Sequence, residues 1–99
     1  MATPLLFAQD NSVITGTVLN FEDKEPLPFA SIRLKNHPIG TITNENGEFD
    51  FYIPKSKRND TLSISFIGFN GYEIPLSNIN DKLLIELSPG YNVLDEVIL

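Results

Sequence analysis

The residue types that do chemistry are few in this chain and scattered along it. His37 is the only histidine and cysteine is absent. A Ser-His-Asp triad therefore has a single possible base, and thiolate catalysis and cysteine-ligated zinc have no residues to use. His37 stands in a proline loop with no acidic neighbour in sequence, and it reads as a solvated loop residue. Glu22, Asp23 and Glu25 would supply the paired carboxylates of a glycoside hydrolase, which needs two such groups roughly 5–10 Å apart across a sugar cleft. Crowded onto one polar loop, they read instead as a solvated turn. Asn44, Asn46 and Glu48 have the alternate spacing of a calcium loop but lack its later acidic ligands. Lys55, Lys57 and Arg58 offer a docking point for an acidic partner, or a charged connection that keeps a loop soluble. None of these groups amounts to a catalytic site, and the sequence calls for no metal or cofactor.

The elements that hold these residues are strands. The stretch from Gly40 to Phe51, Gly-Thr-Ile-Thr-Asn-Glu-Asn-Gly-Glu-Phe-Asp-Phe, reads as a strand, a tight turn and a second strand with Phe49, Phe51 and Ile53 on one face. Asn44, Asn46 and Gly47 are the turn residues, because Asn and Gly tolerate the positive φ that a reversal requires. The expectation is a hairpin whose two arms pair with each other. Residues 12–20 alternate with Ile14, Gly16 and Val18 on one side, and Gly16 marks a bulge or a close approach by another backbone. After the proline-punctuated loop 21–28, residues 29–36 place Ala30, Ile32 and Leu34 against Ser31, Arg33 and Lys35. Leu62, Ile64 and Phe66 repeat the pattern, followed by a turn at residues 68–71 and by Tyr72, Ile74 and Leu76. Pro75 puts that strand at an edge or at its own end. Leu83, Ile85 and Leu87 form the last clear strand, stopped by Pro89 and Gly90.

Seven short strands with turn signals every roughly 8–12 residues, and no helical periodicity, describe an all-β sandwich, antiparallel or mixed. At 99 residues there is room for one domain and one core. A formal net charge of -6 argues against nucleic acid and anionic lipid as partners. No stretch approaches the roughly 20 apolar residues of a membrane helix, so direct membrane insertion is not expected. Residues 1–10 include the run Pro4-Leu5-Leu6-Phe7-Ala8-Gln9-Asp10, similar to the end of a secretory signal or else a frayed start. The sandwich then occupies residues 11–89 and a short apolar-acidic tail residues 90–99.

Four runs carry a more specific resemblance: Ile14-Thr-Gly-Thr-Val18, Glu25-Pro-Leu-Pro-Phe-Ala-Ser-Ile32, Gly40-Thr-Ile-Thr-Asn-Glu-Asn-Gly-Glu-Phe49 and Leu62-Ser-Ile-Ser-Phe-Ile-Gly-Phe69. In this order they resemble the carboxypeptidase-regulatory-like domain family. The resemblance implies a transthyretin-like (prealbumin-like) seven-stranded sandwich, and an accessory module without catalysis of its own.

The tail adds to this. Leu94, Asp95, Glu96, Val97, Ile98 and Leu99 are similar to the Leu-Asp-Glu-Val-Val-Val segment that follows such domains in outer-membrane TonB-dependent receptors, departing from it only in the last two residues. That resemblance implies a periplasmic module of such a receptor, next to its plug and barrel. Its tail would be a TonB-box-like segment that a TonB-like periplasmic domain captures as an added strand. Two alternatives are an accessory domain of a secreted or envelope peptidase, and a carbohydrate-binding module using Phe69 and Tyr72. For Ile67, Phe69 and Tyr72, core packing is the expectation and an exposed docking patch the rival.

Overall fold

The computed structural model describes residues 11–79 and 82–90. Seven strands lie among them: β1 (Asn11–Asn20), β2 (Ser31–Leu34), β3 (Gly40–Ile42), β4 (Glu48–Pro54), β5 (Thr61–Ser65), β6 (Tyr72–Pro75) and β7 (Lys82–Leu87). They form a three-stranded sheet in the order β4-β1-β7 and a four-stranded sheet in the order β3-β2-β5-β6. All pairs are antiparallel except β1 with β7, which is parallel. The expected mixed seven-stranded sandwich is what the chain adopts.

Strict alternation explains the layers, because each strand turns every second side chain to the same side. Ile14 and Val18 of β1, Phe49, Phe51 and Ile53 of β4, and Ile85 and Leu87 of β7 are buried from one sheet. Ile32 and Leu34 of β2 and Leu62 and Ile64 of β5 are buried from the other, together with Ala30, Leu27, Leu76 and Ile79. Each such Leu, Ile or Phe contributes about 1.5–3 kcal/mol of transfer free energy, and this core holds the two sheets together. Gly16 pairs with Phe49 in an unbroken register, so it is not a bulge. It leaves room for the Phe49 ring, since a Cβ there would lie 2.7 Å from Phe49 Cζ and 2.9 Å from the Leu83 carbonyl oxygen.

Three elements differ from expectation. The stretch around Asn44 is not a hairpin: β3 pairs with β2 in one sheet and β4 with β1 in the other. The turn at residues 44–47 is a corner at which the chain changes sheets. It is as tight as expected, with Gly47 at φ 75°, the Gly47 N–H on the Asn44 carbonyl, and the Asn44 N–H on the Glu48 carbonyl. Local turn chemistry is the same for a hairpin and for a corner. The choice is made by Phe49, Phe51 and Ile53, which reach the core from the β1 side, while the three residues of β3 bury nothing fully.

The second strand also starts later than residue 29. Phe29 has φ 63°, a left-handed conformation rare for a bulky residue, and its side chain is 63% exposed. Pro75 closes β6, which is an outer strand of its sheet, as proline chemistry requires. The turn placed at residues 68–71 falls earlier: Phe69 N–H bonds the Phe66 carbonyl, and Gly68 carries the positive φ of 85°.

Candidate functional site

Three constructions on this sandwich bring chemistry-bearing groups together, and each depends on residues far apart in sequence. The first is centred on Asp60, at the mouth of β5. Its carboxylate is buried and accepts from the Asn36 N–H, the Asn36 side-chain amide and the Thr61 N–H, at distances of 3.2 Å or less. His37 Nδ1 lies 2.6 Å from Asp60 Oδ2. The Asp60 carbonyl accepts from the Leu76 N–H, so the loop after β2, the start of β5 and the turn after β6 converge on one residue. Burial pushes this carboxyl up, but the hydrogen bonds from His37, Thr61 and Asn36 outweigh it and lower it from 3.8 to about 2. His37 is therefore not a solvated loop histidine without an acid. Its partner is an aspartate 23 positions on, which no local inspection of the sequence pairs with it.

The second construction is a latch. Thr43 is buried, its Oγ1 donates to the Leu27 carbonyl at 2.7 Å, and the Ala30 N–H donates back to that Oγ1 at 2.8 Å. The Thr43 carbonyl accepts from the Phe29 N–H, and the Thr43 N–H donates to the Ala30 carbonyl. Clamped on both sides, the loop 27–30 has no freedom to relax Phe29 out of its left-handed conformation, and the ring is held out in solvent. Strain of this kind costs of order 1–3 kcal/mol and persists only where the surroundings over-determine it.

The ring does not stand alone. Pro28, Phe29, Ser31, Ser65, Phe66 and Ile67 line a mostly apolar groove of about 480 Å³. Ile67, at the tip of its turn, is 93% exposed. Core packing was the expectation for Ile67, Phe69 and Tyr72. It holds only for Phe69, which packs on the core margin with its ring edge-on to Phe66 at 5.4 Å. Tyr72 stays exposed because β6 is an edge strand of the wider sheet. Phe69 and Tyr72 thus do not form the flat exposed pair that a sugar platform needs. Sequence reasoning missed Phe29 because its alternation with Ala30 looks like the start of a strand. The clues were the proline on its N-terminal side and its place on the polar face with Ser31 and Arg33.

The third construction ties down the end of the described chain. Phe69 and Pro89 form an antiparallel bridge. The Asn70 N–H bonds the Ser88 carbonyl at 2.8 Å and the Gly90 N–H bonds the Gly68 carbonyl at 2.9 Å. The chain therefore runs from Ser88 to Gly90 in the direction of Ile67.

The remaining sequence candidates are structural or lie outside the described residues. Glu22, Asp23 and Glu25 are exposed on the loop after β1, where Asp23 Oδ1 caps the Glu25 N–H. Asn44 Oδ1 accepts from the N–H groups of Asn46 and Glu48, the geometry of a turn and not of a cation ligand. Arg58 reaches the carbonyls of Leu76 and Ile79, at 3.5 and 3.3 Å, so it braces a turn while Lys55 remains exposed beside it. Among the described residues, no three His, Asp or Glu side chains converge on a metal position, and no helix is long and apolar enough to cross a membrane. Leu94, Asp95, Glu96, Val97, Ile98 and Leu99 lie outside the described residues.

Comparison with known proteins gives this architecture a family. Residues 14–99 match the family described as CarboxypepD_reg-like domain. Over 74 residues, 75% of this chain, it is 31% identical to the TonB-dependent receptor SusC of Bacteroides thetaiotaomicron. Over 91 residues, 92% of this chain, it is 30% identical to the TonB-dependent receptor P3 of Formosa agariphila. The chain spans only 7% and 9% of the lengths of these two curated relatives. With its two-sheet fold and this match across most of its length, the chain belongs to the CarboxypepD_reg-like domain family.

Proposed function

We propose that this chain is a noncatalytic accessory module of an outer-membrane TonB-dependent receptor, placed in the periplasm beside the receptor's plug. The observation that carries this reading is the identity of 31% and 30% to two receptors from different organisms. The inventory of side chains agrees with it. Asp23 caps a loop, the histidine clasps a buried aspartate, and Arg58 braces a turn.

In this role the sandwich is a rigid body and the segment from Leu94 through Asp95, Glu96, Val97, Ile98 and Leu99 is the working part. A TonB-like periplasmic domain would take it as an added strand, with main-chain hydrogen bonds supplying affinity and alternate side chains supplying specificity. Pull on that strand would pass into the backbone bonds that join Ser88 and Gly90 to Asn70 and Gly68.

Titrating the periplasmic domain of a TonB-like protein into the ¹⁵N-labelled chain tests this. Amide signals of residues 94–99 should shift or broaden while those of the core strands hold still. Val97→Pro, which removes a ladder donor, should abolish the effect. Absence of binding, or binding indifferent to Val97→Pro, would overturn strand capture. The receptor reading itself is tested on the gene: a plug-like segment and a long series of alternating strands should follow Leu99. A stop codon or a soluble catalytic domain there would remove it.

A further inference from the structure

From the groove and the path of the chain beside it, we infer that the apolar groove between Phe29 and Ile67 is a seat for the chain's own residues 91–99. This seat is a property of the module alone, so it stands or falls separately from the receptor reading.

The first argument is direction. Asn70 pairs with Ser88, Phe69 with Pro89 and Gly68 with Gly90, so each step of the chain toward its C-terminus moves one residue back along the 68–70 segment. One further step points at Ile67, and two at Phe66, both of which line the groove. The described chain is thus aimed at the groove when it reaches Gly90. Nine extended residues reach about 30 Å, several times what the distance from a neighbouring residue requires.

The second argument is composition. Residues 91–99 contain Tyr91, Val93, Leu94, Val97, Ile98 and Leu99, apolar side chains whose exposure to water is unfavourable. The groove presents the matching deficit: Ile67 is 93% exposed, and Phe29 is held out at a positive φ by the Thr43 latch. Ser31 and Ser65, a cross-strand pair on the outer face, form a small polar floor between the two apolar walls. A floor of short side chains lets a backbone approach closely.

The third argument is consequence. Residues 91–99 cannot lie in the groove and also be extended as a strand on another protein. The groove therefore competes with any such partner and sets how much of the segment is free.

The test uses the full chain, which contains no native cysteine. A nitroxide is attached through Glu96→Cys, and in a second sample through Asn92→Cys, and paramagnetic broadening of amide signals is read. Ser31, Ser65 and Ile67 should lose more than half their intensity from at least one label site. Asp60 and Ser77, at the other end of β5, should keep theirs. Phe29→Gly, whose backbone conformation suits glycine and so threatens no fold, should restore the groove signals. No broadening at the groove from either site would overturn the inference, and so would broadening that survives Phe29→Gly. Mixing ¹⁵N chain without a label and labelled chain without ¹⁵N should leave the groove signals intact. Loss of signal in that mixture would mean that a second copy fills the groove, which also overturns it.

Discussion

Asp60 Oδ2 lies 2.6 Å from His37 Nδ1, and this contact fastens the loop after β2 to the start of β5. The folded carboxyl is lowered from 3.8 to about 2 against the opposing effect of burial, through hydrogen bonds from His37, Thr61 and Asn36. A group whose folded pKa is depressed contributes stability that is complete above the unfolded value and disappears as pH falls through the folded one. The melting temperature should therefore fall between about pH 4 and pH 2. Asp60→Asn should be less stable at pH 7 and show a shallower fall over that window. Thermal melts of both proteins at intervals from pH 6 to pH 2 check this, and equal slopes would remove Asp60 as the source.

Gly47 and Gly68 both have positive φ, 75° and 85°, but they differ in surroundings. A Cβ on Gly47 would sit 2.6 Å from the Val18 carbonyl oxygen, whereas one on Gly68 would meet nothing within 4 Å. Gly47→Val adds a rigid clash to backbone strain and should cost about 2–4 kcal/mol. Gly68→Ala carries the conformational penalty alone and should cost about 1 kcal/mol. Urea denaturation midpoints at constant slope decide it. Similar losses at the two sites would show that crowding at the corner between the sheets is not what the chain defends with Gly47.

Much of the core was readable in the sequence, because alternation is a local property. Ile32 and Leu34, and Leu62 and Ile64, read as the buried faces of their strands; Ile14 with Val18, and Phe49 with Phe51 and Ile53, read as sharing one face; all of them are buried. Partner choice was not readable. Asn44, Asn46 and Gly47 announce a reversal, but whether β4 pairs with β3 or with β1 is settled by which layer needs its phenylalanines. The same distance effect hid the Asp60 clasp, and the Thr43 latch that displays Phe29. In each case the informative partner lies more than a dozen positions away. Ile67 and Tyr72 stay outside the core for a different reason. Apolar type signals burial only where a second sheet covers the position, and neither a turn tip nor an outer strand is covered.

Thr43 makes two side-chain hydrogen bonds in a dry position, to the Leu27 carbonyl and from the Ala30 N–H. Thr43→Val keeps the shape and leaves both backbone groups without a partner, which should cost about 1–3 kcal/mol. Thr43→Ser keeps the hydroxyl and should cost about 1 kcal/mol for the missing methyl. Freed of its latch, the loop 27–30 should also exchange amide hydrogens faster in the valine variant, with Ala30 the most affected. If valine is better tolerated than serine, the hydroxyl is not what holds the loop.

Gly16 and Phe49 face each other across β1 and β4, and the ring occupies the space where a Cβ on Gly16 would stand, 2.7 Å from Cζ. Gly16→Ala should therefore cost about 1–3 kcal/mol by overpacking. Part of that loss comes from the ring, which can be shortened, and part from the Leu83 carbonyl oxygen at 2.9 Å, which belongs to the backbone of β7 and has nowhere to go. Phe49→Leu alone should also destabilise, since Phe49 is a core residue. Combined, the two substitutions should cost less than their sum by about 0.5–2 kcal/mol, the coupling expected of residues in contact. A double-mutant cycle from denaturant unfolding measures this directly. Strict additivity would mean that the β7 carbonyl alone forbids a side chain at position 16, and that the parallel pairing of β1 with β7 sets the requirement for glycine there.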